Sequence, residues 1–133
     1  MAEVMFIRFV SGNVDEDSHV SAGLFTAVFD LMDDPLLRDE EYFVLRELMD
    51  WFDAYLKGPF HYRLRPASRA QRAICWFKPT AHDHLSRAWE MATILERNDV
   101  FVRMIKVERT GYILYEDEAQ ILAEPFADIR RVL

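Results

Sequence analysis

The sequence predicts an α+β fold: one domain, with a mixed sheet of about five strands, helices packed on it, and the element order βααβαβββ. Three observations predict it. Residues 73–126 alternate between β-branched or aromatic runs and one helical period, as a strand, a helix and three strands would. A further apolar run, Val4 to Val10, precedes two stretches whose apolar residues recur at helical spacing. Turn and breaker residues separate the segments, at Ser11-Gly12-Asn13, Gly58-Pro59, Pro79 and Thr110-Gly111.

Val4 to Val10 is apolar at nearly every position, which predicts an inner strand covered on both faces. Asp15-Glu16-Asp17 is a solvated loop, and Ser21 is the expected N-cap of the first helix. Leu24, Phe25, Val28, Leu31 and Met32 form that helix's apolar stripe. Asp34-Pro35 closes it, and the same pair suits the N-cap and first position of the next helix; Asp39, ahead of Glu40 and Glu41, is a second N-cap candidate. The second helix runs to Leu56 on a stripe of Leu45, Leu48, Phe52 and Tyr55, and Lys57-Gly58-Pro59 stops it. Residues 58–72 show no periodicity. In the following strand, Ala73 to Lys78, Ile74 and Trp76 point one way and Cys75 and Phe77 the other. Thr80 and Asp83 make an approximate capping box for a helix burying Leu85, Ala88, Trp89, Ala92 and Leu95. Asn98-Asp99 ends it, Val100 to Val107 is the next strand, and Gly111 supplies positive φ in a tight turn. Ile113 to Tyr115 and Ile121 to Ala123 pair across the acidic tip Glu116-Asp117-Glu118. A strand–helix–strand crossover would make the strands flanking the third helix parallel if they sit side by side.

At 133 residues, with ten Phe, five Tyr and three Trp, the chain is long and apolar enough for one packed core. No run approaches the roughly 20 apolar residues of a membrane span, and the first residues do not match a signal peptide. One cysteine excludes an internal disulfide. A cytoplasmic location is expected, with no membrane, metal or cofactor implied. The net charge of −7 disfavours a nucleic-acid backbone as partner. Charge is unevenly spread: residues 1–53 carry thirteen acids and three bases, whereas residues 54–82 carry six bases and no acid.

From Trp76-Phe-Lys78 through Gly111-Tyr-Ile-Leu-Tyr-Glu-Asp-Glu118 to Ala123-Glu-Pro-Phe126, the chain resembles a group of small bacterial proteins without an established activity. Phe9, Gly23-Leu-Phe25 and Trp51-Phe52 fit the same pattern. The resemblance implies a single bacterial cytoplasmic domain and carries over no catalytic residue. Members of the group tend to have His where this chain has Ala119, which weakens a metal or acid–base role for the hairpin tip.

No phosphate loop, dinucleotide fingerprint, nucleophile elbow or zinc-protease motif occurs. Cys75 reads as a small core residue inside an apolar strand. His82 and His84, two apart on a helix, point to opposite sides and make no metal pair by themselves. The basic run is the main lead: Arg63, Arg65, Arg69 and Arg72 suit bidentate binding of carboxylate or phosphate, and internal pairing with the chain's own acids is the alternative. The expected function is a binding or regulatory module that forms a homodimer through surplus aromatics (Trp51, Phe60, Tyr62, Trp76) or a sheet edge. An anionic small molecule or acidic protein surface is the expected ligand class. The second reading is a small enzyme on an anionic substrate, those arginines clamping the anion and His61 or His82 moving a proton.

Overall fold

The computed structural model describes residues 4–14, 21–57 and 74–126. Among them are strand β1 (Phe6–Val14), the short strand β2 (Ser21–Gly23), helix α1 (Leu24–Met32), helix α2 (Asp39–Tyr55), strand β3 (Ile74–Phe77), helix α3 (His82–Arg97) and strands β4 (Val102–Val107), β5 (Tyr112–Glu116) and β6 (Gln120–Glu124). The fold is α+β in the expected order, with β2 added.

The sheet differs from the mixed one expected, because every pair in it is antiparallel. Its strands run β2-β1-β3-β6-β5, and β4 also pairs with β1. Ile7 pairs with both Phe77 and Lys106, and Val10 with both Gly23 and Arg103. A strand has only two edges, so β4 holds one edge of β1 while β3 and β2 share the other. The strands on either side of α3 are therefore not neighbours. They run parallel to one another with β1 between them, and β1 is the inner strand its composition predicted.

Alternation along β1 builds two cores. Ile7 and Phe9 face the helices, where they join Leu24, Val28, Leu45, Leu48, Phe52, Phe77, Met91 and Leu95. Each large side chain removed from water there contributes about 1.5–3 kcal/mol. On the other face Val10, Ile74, Trp76 and Ile105 form a second cluster of strand residues alone. Arg8 falls on this face by the same alternation and is buried there; loss of hydration lowers its pKa to about 10, so it stays charged at neutral pH.

Several local expectations shift. Ser21 lies in β2, and Gly23 is the N-cap of α1. Neither cap weighed for α2 holds: Arg38 is the N-cap, without a side-chain cap bond, and Asp39 is the first helical residue, with Glu40 and Glu41 beside it in the first turn complementing the helix dipole. The capping box at Thr80 is not formed, since Ala81 is the N-cap of α3 without a side-chain cap bond. Gly111 does take positive φ, at 123°.

The main correction concerns Trp89, which is 50% exposed. The buried face of α3 is Ala88, Met91, Ala92, Ile94 and Leu95. Trp76 is the fully buried tryptophan, at 0% exposure. No described helix is long and apolar enough to cross a membrane.

Candidate functional site

Arg63, Arg65, Arg69, Arg72 and His61, as well as Phe60 and Tyr62, lie outside the described residues. His82 is exposed on the first turn of α3, where its backbone N–H donates to the Thr80 carbonyl at 2.9 Å. The last base of the basic run, Lys78, pairs with Glu116 at 2.7 Å. For that one base, internal pairing is the arrangement found.

His84 parts from His82 as helical spacing requires. It turns inward at the junction of α2 and α3, with Nε2 2.9 Å from the carbonyl oxygen of Tyr55, the last residue of α2. The last carbonyls of a helix lack partners within it, so the ring supplies one. It also packs on Trp51, Phe52 and Phe77 at centroid distances of 4.8, 6.1 and 6.4 Å. The Arg87 guanidinium lies over the Trp51 ring at 3.9 Å. Trp51 is thus engaged inside the molecule, between α2 and α3.

The acidic tip is internally organised. Asp117 Oδ1 accepts from the Ala119 and Gln120 backbone N–H groups at 2.8 and 3.0 Å. Its Oδ2 accepts from the Tyr115 hydroxyl at 3.0 Å and from Gln120 Nε2 at 3.1 Å. Partial burial alone would raise the pKa of this carboxyl, but the four donated bonds outweigh it and hold it below the usual value. The same contact with Asp117 raises the pKa of Tyr115. Gln120 is itself buried: Nε2 also donates to the Lys57 carbonyl, and Oε1 accepts from the Cys75 thiol at 3.2 Å. This knot ties the end of α2 to the β5–β6 hairpin. With Glu116 on Lys78 and Asp117 turned inward, the three tip carboxylates do not converge, and the described residues contain no group of three or more potential metal ligands.

The surface feature that sequence reasoning missed lies along β4. Among the described residues β4 pairs with β1 alone, from Phe6↔Val107 to Ser11↔Val102. Beside it stand Trp89, Phe101 at 67% exposure and Met104 at 37%. Trp89 packs edge-on against Phe9, with centroids 5.0 Å apart and planes at 83°. Phe9 is the cross-strand partner of Met104, so Trp89 and Met104 share the helix-bearing side of the sheet. Arg103 and Lys106 are exposed on the same strand. The signal for Trp89 was present in the small residues Ala88 and Ala92, which mark the line where α3 approaches the core most closely; Trp89 is about 100° round the helix from Ala88.

Compared with protein-family models, with curated proteins and with solved structures, the chain gives no match.

Proposed function

We propose that this chain is a small cytoplasmic binding or regulatory module that works as a homodimer. The observation supporting this is a set of large apolar side chains left in water along β4, Met104 and Trp89 on the helix-bearing side of the sheet and Phe101 just ahead of the strand. Exposed apolar surface of this kind marks interaction sites, and aromatic and methionine side chains are enriched in them. This replaces two of the aromatics expected at the interface, since Trp76 is buried and Trp51 is held by His84 and Arg87.

Sedimentation velocity over roughly 1–100 µM checks the reading, because mass action moves a dimer equilibrium across such a range. A species of twice the chain mass, dominant at the upper end, is the expected result. A monomer throughout removes the proposal.

A further inference from the structure

We propose that two copies of this chain join edge to edge through β4, antiparallel about a two-fold axis normal to the sheet, with Met104 opposite Met104. The inference rests on the self-association proposed above and adds which surface makes it and in what register. Edge strands expose a row of backbone donors and acceptors, and proteins usually blunt them with lysine, proline or a bulge. β4 carries Lys106, but it has no proline, and its pairing with β1 runs without a bulge.

Symmetry narrows the register. A two-fold axis normal to the sheet keeps each face on its own side, so only residues of the same face come opposite one another. The axis must then pass through a residue position. Centred on Arg103, it sets two guanidinium groups directly opposite, which is unfavourable. Centred on Ile105, it sets Met104 against Lys106 and Phe101 against Arg109. Centred on Met104, it sets Arg103 against Ile105, Val102 against Lys106 and Phe101 against Val107. Of the three, only this register sets Phe101 against an apolar residue without bringing two guanidinium groups face to face. Trp89, on the same side as Met104, brings the methionine pair an aromatic from each copy, a favourable neighbour for sulfur.

The charge pattern predicts how salt acts. Each chain carries −7, and in this register the two Arg103 side chains lie on a diagonal, so both the long-range and the local like-charge terms oppose the dimer. Added salt screens them and tightens the dimer. An acidic strand from another protein, attracted by Arg103 and Lys106, would be loosened by the same salt.

The experiment introduces a cysteine at the axis. Cys75 is the single cysteine, and its thiol donates a hydrogen bond to Gln120 that a serine hydroxyl can also make, so Cys75→Ser is the background. In it, Met104→Cys is expected to form a disulfide-linked dimer under mild oxidation, and Arg103→Cys to do so at least about tenfold more slowly, being on the diagonal. Met104→Lys on an exposed site keeps the fold and is expected to weaken the dimer at least about tenfold, or about 1.4 kcal/mol. Preferential cross-linking at 103, or a dimer indifferent to Met104→Lys, overturns the β4 interface while leaving self-association standing. A wild type that stays monomeric overturns both.

Discussion

Trp76 offers the sharpest test of the second face of the sheet. It is fully buried in β3 among Val10, Ile74 and Ile105, and its indole N–H meets no acceptor among the described residues. Truncation to alanine removes the whole ring system and is expected to cost about 3–5 kcal/mol. That is a large part of the roughly 5–15 kcal/mol that holds a domain folded. Trp76→Phe separates two opposing effects. The smaller ring forfeits transfer energy and leaves a void, together about 1–2.5 kcal/mol. Removing a buried donor that has no partner returns about 1–3 kcal/mol. The net change is therefore expected to lie between a gain of about 2 and a loss of about 1.5 kcal/mol. Urea melts followed by far-UV circular dichroism read both variants without relying on tryptophan emission, and an unchanged slope keeps the comparison valid. A loss above about 2.5 kcal/mol for Trp76→Phe would refute the reasoning, since it would mean the indole N–H is bonded.

Three further outcomes are expected. Gly111→Ala places a Cβ against the Glu124 carbonyl at a positive φ, so a loss of about 3 kcal/mol or more is expected in thermal melts. Asp117 has a folded pKa below its unfolded value, so its contribution is complete above about pH 4 and is lost as pH falls through the folded pKa; stabilities of Asp117→Asn and the wild type should therefore converge in acid. For the basic run, Arg65→Glu with Arg69→Glu should abolish binding of phosphate or an acidic partner while barely moving the melt if those arginines form a ligand surface; a collapse of stability, with no binding by the wild type, would make them structural.

The fold was legible wherever one residue's chemistry settles its local geometry. Gly111 had to be the positive-φ position of its turn, and the acids Asp39 to Glu41 marked the start of α2. Continuous apolarity from Val4 to Val10 gave an inner strand because both its faces had to be buried, as Phe9 and Val10 are. Strand order is a different kind of information. The run Val102 to Val107 has the same composition at an edge as in the middle of a sheet, and only the observed pairing shows that, among the described residues, β4 bonds to β1 alone.

The exchange of roles between Trp76 and Trp89 shows the same division. Alternation in β3 correctly put Ile74 and Trp76 on one side and Phe77 on the other. It could not say that both sides are buried, since cover comes from residues distant in sequence. For α3, periodicity found Ala88, Ala92 and Leu95 but left out Met91 and Ile94, which centre the buried face further round; a helix turns about 100° per residue, so Trp89 falls outside it. The error bears on the proposed interface, because it assigned to the core a side chain that stands half exposed against Phe9, the cross-strand partner of Met104. Large aromatics are the residues for which such an error matters most, being equally at home in a core and at an interface. The local arrangement of small residues separates the two cases: Ala88 and Ala92 form one line along which α3 approaches the core closely, and Trp89, about 100° round the helix from Ala88, stands outside that line with one edge on Phe9 and the rest in water.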